Sequence, residues 1–351
     1  MSQVTSLLAS ENARFSEPST LPSRPAGTAT LIPFTDTGTP SPELVFLAQT
    51  AQSLLDYQLA PSTQSVYERD WKLFVTWCIG HGLPSLPTTE TILVLYATAQ
   101  AERGLKIPTI RRRLAAIRTV HSTAGYQALA QSTLVRDILR GISRRDGMLS
   151  VGVKALLTDD IRLIVQAIHD DTLIGRRNRA IILLGYAGAF RRSELVGLDM
   201  DDLQDDANGL IVRLKKSKTD QQGLGRFVGI PKGTHQATCP VQAIRQWLES
   251  SGFADGPLFR SISRHGIIAQ SRLSDRSVAM IIKRCAADAG LDPTHYAGHS
   301  LRAGHCTQAC REGVAENIIR KQTGHRSRST LQRYIRVGTL FADNSADALG
   351  L

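Results

Sequence analysis

Between His299 and Tyr334 stand the residues that most narrow what this chain can fold into. His299 and Arg302 are three apart, so on a helix they share a face. Gly324-His325 follows a short helical run, and Tyr334 comes nine residues after His325 on the next one. The stretch holds two histidines, two arginines that could face a phosphate and one tyrosine, at spacings that put them on short helical segments around one point. Cationic and imidazole groups aimed at a single tyrosine suit an enzyme that forms a phosphotyrosine. Tyrosine needs such neighbours, because its hydroxyl ionises only near pH ~10 and is a poor nucleophile below that.

Charge indicates what would be brought to the tyrosine. The chain carries a formal net charge of +11 and a pI of about 9.7, which points to a polyanionic partner. The excess is uneven: −2 over residues 1–45, +5 over 46–150 and +8 over 151–351. The basic character therefore belongs to the folded part and not to a cationic tail. Cys78, Cys239, Cys285, Cys306 and Cys310 are scattered and odd in number, no secretory pattern opens the chain, and the longest apolar run, Ala180 to Phe190, is too short to span a bilayer. These features predict a cytoplasmic protein with reduced thiols and no membrane partner. His305, Cys306 and Cys310 lack a fourth ligand at metal spacing, so no metal site is expected.

With 351 residues, two domains are expected. Residues 1–40, rich in Ser, Thr, Pro and Gly, read as a disordered tail. Residues 41–146 read as helix after helix, beginning at the capping sequence Ser41-Pro42-Glu43 and running through Leu54-Leu55. The next helix, after Pro61-Ser62-Thr63, places Tyr67, Trp71, Phe74, Val75 and Cys78 on one stripe. Helices over Thr89–Arg103, Pro108–Thr123 and Ser132–Ser143 follow. The Pro108 helix buries Ile110, Leu114, Ile117 and Val120, while Arg111, Arg112, Arg113 and Arg118 crowd its other faces and Lys106 precedes it. With Arg69 and Lys72, these arginines read as a face for nucleic-acid backbone and groove contact, the plainer reading being a solvated surface. Residues 147–155 read as a linker and 156–338 as the second domain. There an apolar helix over Arg177–Ala187 is followed by the short helix of Arg191-Arg192-Ser193-Glu194-Leu195. Leu210–Leu214 and Gly225–Ile230 read as a β-hairpin, and helices around Ala243–Glu249 and Ser274–Ala287 lead to the His299 region. The segment 339–351 is short and amphipathic.

Read together, these residues resemble the tyrosine recombinase (phage integrase) family in its two-domain, Cre- and Xer-like form, over nearly the whole chain from about Ser41 onward. Arg191-Arg192-Ser193-Glu194-Leu195 is similar to the family's first arginine box, and His299-Ser300-Leu301-Arg302 to its His-x-x-Arg box. Gly324-His325-Arg326-Ser327 resembles the Gly-His box, and Tyr334 stands where the nucleophile belongs. Lys218 falls in the hairpin that carries the family's catalytic lysine, with Lys215 and Lys216 as competitors. Each motif alone is weak; five in order and at the right spacing are specific. The family usually has an apolar residue where Arg192 stands, so Arg191 and Arg192 both remain candidates for the first catalytic arginine, with Arg191 favoured by its phase relative to Ser193-Glu194-Leu195. His295 and His305 read as structural.

The resemblance implies a mainly α fold: a helical core-binding (SAM-like) domain, a C-terminal α+β catalytic domain with a small β-hairpin, and the two as a C-shaped clamp on double-stranded DNA. It implies a site-specific recombinase that cuts and rejoins DNA through a 3′-phosphotyrosyl intermediate on Tyr334. In that scheme Arg191, Arg302 and His325 stabilise the phosphate, His299 handles the tyrosine proton, Lys218 protonates the departing 5′ oxygen, and Glu194 orients its neighbours. No cofactor is implied: the bond energy is kept in the phosphotyrosine, and the chain has neither a GxxxxGK[ST] loop nor a two-metal carboxylate cluster. The resemblance further implies a homotetramer on paired sites with inverted arms, with the 339–351 segment exchanged between protomers through Phe341, Ala342, Ala346, Leu349 and Leu351. The biological reaction would be integration, excision or resolution of a mobile element or replicon. A type IB-like topoisomerase and a catalytically silent DNA-binding protein on the same fold are the two alternatives.

Overall fold

The computed structural model describes residues 60–126, 132–146, 153–215 and 225–325, together with 327, 331, 332, 334 and 349. The expected tail, the helix through Leu54-Leu55, residues 147–152 of the expected linker, Lys216 and Lys218, and all of 339–351 except Leu349 lie outside these. The chain divides into two compact units, Met1–Ser150 and Val151–Leu351.

Four described helices build the first unit: α1 (Pro61–Gly80), α2 (Glu90–Glu102), α3 (Ile107–Thr123) and α4 (Thr133–Arg145). Side-chain oxygens start two of them, Thr89 Oγ1 accepting from the Ile92 N–H at 3.3 Å and Ser132 Oγ from the Val135 N–H at 3.0 Å. The predicted stripe on α1 is buried through Trp71, Phe74, Val75 and Cys78, and meets Leu93 and Tyr96 of α2 and Ile110, Leu114, Ile117 and Val120 of α3. Phe74 and Tyr96 cross edge to face with centroids 5.0 Å apart. Each such fully buried side chain contributes about 1.5–3 kcal/mol through the water-exposed area it removes. His121 is buried among them, its Nδ1–H donating to Ile117 O at 2.9 Å and its Nε2 accepting from the Thr88 N–H at 2.9 Å. Those two bonds need the neutral ring, and burial accordingly pushes its pKa below the usual histidine value.

The second unit is α+β. It opens with α5 (Thr158–Ala167), α6 (Leu173–Ala187) and α7 (Arg192–Gly197). Strands β1 (Leu203–Asp206), β2 (Gly209–Leu214) and β3 (Arg226–Pro231) form an antiparallel sheet in the order β1-β2-β3, with Leu214 opposite Arg226. Then come α8 (Pro240–Ser251), the hairpin of β4 (Arg260–Ile262) and β5 (Ile268–Arg272), α9 (Asp275–Asp288), α10 (Ser300–Arg311) and α11 (Glu316–Thr323). The core gathers Ile181–Leu184 of α6, Leu210, Val212 and Leu214 of β2, Val228 and Ile230 of β3, and Trp247 of α8. Alternation along β2 puts these three residues on the covered face. Trp247 is fully buried, and its indole N–H donates to Leu258 O at 2.8 Å.

The fold is mainly helical with two small antiparallel sheets. Strand β1 and the β4–β5 hairpin are additions to the expected β-hairpin. Helix α6 begins at Leu173 and not Arg177, because the Thr172 hydroxyl caps it by accepting from the Gly175 N–H at 3.0 Å. Among the described residues no helix is long and apolar enough to cross a membrane.

Candidate active site

The site assembles where the end of α6, the start of α10, the end of α11 and Tyr334 meet. The turn after α6 holds Ala189 in the left-handed region, at φ 49°, uncommon for a residue with a Cβ. Arg191 follows as the N-cap of α7. Its backbone N–H donates to Glu194 Oε2 at 2.8 Å and its Nη1 to Glu194 Oε1 at 2.5 Å, so one buried carboxylate both closes the helix N-terminus and aims the guanidinium. Arg192 points elsewhere: its Nη2 lies 3.9 Å from Asp275 Oδ2, and its stem covers Gly298, where a Cβ would stand 1.8 Å from Arg192 Cδ. Of the two adjacent arginines, Arg191 is the one that enters the cluster.

His299 is the N-cap of α10, and Arg302 lies in the first turn. Arg302 is 0% exposed, donating from Nη1 to Ala189 O at 2.6 Å. Its Nε and Nη2 have no hydrogen-bond partner among the described residues. Burial, and then the nearby Arg191, bring its pKa down to about 10, which leaves it charged at neutral pH. A buried cation with two unspent donors is costly unless an anion completes it.

Gly324 ends α11 in the left-handed region, at φ 66°, and turns the chain to His325. His325 is buried, with Nδ1 2.8 Å from Thr323 Oγ1, and its pKa is held down to about 3. Burial is the largest cause, followed by the positive fields of Arg302, Arg191, His299 and Arg226. His325 is thus neutral at neutral pH. Tyr334 has its hydroxyl 2.8 Å from His299 Nε2, and its ring packs against a small apolar cluster of Cys306, Cys310, Ile319 and Leu331. Cys306 and Cys310 serve there as apolar packing, and burial pushes the Cys306 thiol up to about 12. The His325 and Tyr334 rings are 6.1 Å apart.

Six predicted residues, Arg191, Glu194, His299, Arg302, His325 and Tyr334, therefore converge, with His299 and Tyr334 hydrogen-bonded to each other. Lys218 lies outside the described residues. Lys215 is held elsewhere, by Asp199 Oδ2 at 3.1 Å and Asp202 Oδ1 at 3.2 Å. His305 is half-buried edge-on to Tyr186, and His295 is exposed beside Asp292.

Arg226 was not among the expected site residues. It opens β3, donates from Nη1 to Gln322 O at 2.7 Å, and has Nη2 3.9 Å from Glu194 Oε2. An arginine at the start of a strand follows no motif spacing, and both partners are distant in sequence.

On the first unit, Arg69, Lys72, Lys106, Arg111 and Arg118 are exposed. Arg112 and Arg113 differ. Arg112 grips the fully buried Asp70 with two hydrogen bonds, Nε to Oδ2 at 2.7 Å and Nη2 to Oδ1 at 3.1 Å. Arg113 donates to Gln100 Oε1, with its Nε 3.9 Å from Asp70 Oδ1. Both guanidinium groups are engaged inside the helical unit, because a desolvated carboxylate requires them.

The sequence model described as the phage integrase family matches residues 154–339, just over half of the chain. Across 306 residues the chain is 36% identical to an integrase/recombinase xerD homolog of Selenomonas ruminantium, covering 86% of this chain and 89% of that protein. Against tyrosine recombinase XerC of Pseudomonas putida (strain W619) it is 28% identical over 281 residues, 79% of this chain and 86% of the relative. The solved structure of the Tn1549 transposon integrase in complex with circular intermediate DNA matches with a TM-score of 0.56. That match covers 81% of this chain and 92% of the other at 17% identity, a likeness of fold. With the family model spanning the arginine, histidine and tyrosine boxes and a 36%-identical relative matched over most of both chains, the protein belongs to the phage integrase family, the tyrosine recombinases.

Proposed function

We propose that Tyr334 cleaves one strand of duplex DNA at a specific site and holds it as a 3′-phosphotyrosine. The phenolic oxygen attacks phosphorus, the bond to the 5′ oxygen breaks, and a free 5′-hydroxyl leaves. His299 takes the phenol proton and Lys218 supplies one to the departing oxygen. Arg191 and Arg302 neutralise the non-bridging oxygens, most of all as charge builds in the transition state. His325 adds a hydrogen bond once phosphate charge offsets the arginines around it. Reverse attack by a new 5′-hydroxyl rejoins the strand, so the cycle is balanced without ATP or metal.

One observation carries this reading: the buried Arg302, with two N–H groups unspent, lies in one cluster with Arg191, His325 and a tyrosine hydroxyl already hydrogen-bonded to an imidazole. Exposed Arg69, Lys72, Lys106, Arg111 and Arg118 would grip the duplex backbone. The reaction would proceed in a homotetramer on paired, inverted-arm sites, joined by exchange of the 339–351 segment, and would integrate, excise or resolve a mobile element or replicon in the cytoplasm. The test is covalent trapping on a nicked duplex drawn from the DNA flanking the gene. Wild type should give an adduct that survives denaturation and Tyr334→Phe none; an adduct in both would show another nucleophile.

A further inference from the structure

We infer that Arg226 and Gln322 form a clasp that positions the cleavage machinery, tying the start of β3 to the Gly324-His325 turn and to Glu194. The bonds run in both directions. Arg226, from β3, donates to the Gln322 carbonyl at 2.7 Å. The Gln322 side chain donates back to Gly229 O of β3 at 3.2 Å and to Ala187 O at the end of α6 at 3.1 Å. Three parts of the site are thereby fixed to one another: the α6 end that delivers Arg191, the strand that emerges from residues 216–224, and the last turn of α11.

Packing supports the same assignment. A Cβ added at Gly324 would stand 3.0 Å from both Cζ and Nε of Arg226, so the guanidinium lies against that backbone. The charge is also well placed, at the carbonyl end of α11, where a cation is favoured. Arg226 Nη2 is buried and without a hydrogen bond, 3.9 Å from Glu194 Oε2, whose other oxygen holds Arg191. Being buried, that nitrogen is not a hand held out to DNA; it competes with Arg191 for Glu194. Arg226 is thus a positioning residue that acts through Glu194 and the His325 turn.

This inference rests on the cleavage reading above, and its test has an arm that does not. In full-length protein with labelled histidines, His325 is titrated by NMR in wild type, Arg226→Ala, Arg226→Lys and Gln322→Ala, its signal assigned by its loss in His325→Gln. The groups that face His325 are Arg302, Arg191, His299 and Arg226, with the Thr323 hydroxyl and the Tyr334 ring. Removing the Arg226 charge should raise the His325 midpoint, whereas Arg226→Lys should leave it close to wild type. In the second arm, adduct formation on the nicked duplex should fall on the order of 10²-fold in Arg226→Ala, the scale of a misplaced reacting group, with duplex affinity retained. Arg226→Lys should fall by less but remain impaired, because one ammonium cannot serve both Gln322 O and Glu194. An unmoved His325 midpoint in Arg226→Ala, or wild-type cleavage in Arg226→Lys together with Gln322→Ala, would overturn the clasp. So would a loss of duplex affinity equal to the loss of cleavage, which would make Arg226 a DNA contact. If wild type forms no adduct the cleavage reading fails, and the titration still judges the clasp.

Discussion

Arg191 and Arg226 draw on one carboxylate, Glu194, while the nearby buried Arg302 has no ion pair among the described residues, and the site is left with uncompensated positive charge. That imbalance is tolerable only if an anion joins it, and it is most useful when the anion gains charge in the transition state. Arg302→Lys should therefore retain folding yet lose about 10²–10³-fold in single-turnover cleavage, since an ammonium cannot replace two fixed, unspent N–H donors. Wild-type rates in that variant would exclude Arg302 from the chemistry. His325 supplies a second residue-level prediction. Its folded-state pKa is depressed to about 3, so the folded state binds fewer protons than the unfolded state between that value and the ordinary histidine range near ~6.5. The contribution to stability is then complete above ~6.5 and is lost as pH falls toward 3. Urea denaturation across pH 7 to 4 should show a steeper loss in wild type than in His325→Gln; parallel curves would contradict the depressed pKa. The boxes around these residues were legible in the sequence because they resemble the family's arginine, His-x-x-Arg and Gly-His motifs. Arg226 was not, because its partners are a carbonyl 96 positions away and a carboxylate on another element.

At the scale of elements, α3 carries a row of arginines of which Arg112 and Arg113 are engaged inside the unit and Arg111 and Arg118 are exposed. The stripe of Ile110, Leu114, Ile117 and Val120 was readable from its period, and those residues are buried. The division of Arg111, Arg112, Arg113 and Arg118 was not, because it depends on Asp70, 42 residues before Arg112 and 0% exposed. Arg112→Ala should cost about 2 kcal/mol in urea denaturation, by leaving that carboxylate short of its best partner, while the salt dependence of duplex binding stays nearly unchanged. Arg111→Ala and Arg118→Ala should do the reverse. Each should lower the slope of log affinity against log salt by about 1 at nearly unchanged stability. A reduced slope in Arg112→Ala with full stability would mean that the ion pair opens to meet DNA. The β4–β5 hairpin also escaped sequence reading. Its strands, Arg260–Ile262 and Ile268–Arg272, are short and lack apolar alternation. Arg260 instead holds it locally, bonding Gln270 Oε1 at 2.6 Å and stacking 3.8 Å over the Phe253 ring.

For the whole molecule, two compact units and a net charge of +11 fit a protein that grips a duplex with one unit and works on it with the other. Assembly is expected to depend on the apolar residues of the 339–351 segment. Deletion from Asp343 onward should leave binding to a single site nearly intact but weaken cooperative occupancy of paired sites, measured by gel-shift titration; unchanged cooperativity would remove that segment from the assembly. Everything else depends on the identity of the covalent link. The most direct measurement is to trap the protein on a nicked duplex, digest the adduct with protease, and locate the DNA-bearing residue and the bond polarity by mass spectrometry. The account predicts Tyr334 joined to a 3′-phosphate, with a free 5′-hydroxyl on the released strand. Attachment through another residue, or through a 5′-phosphate, would contradict it.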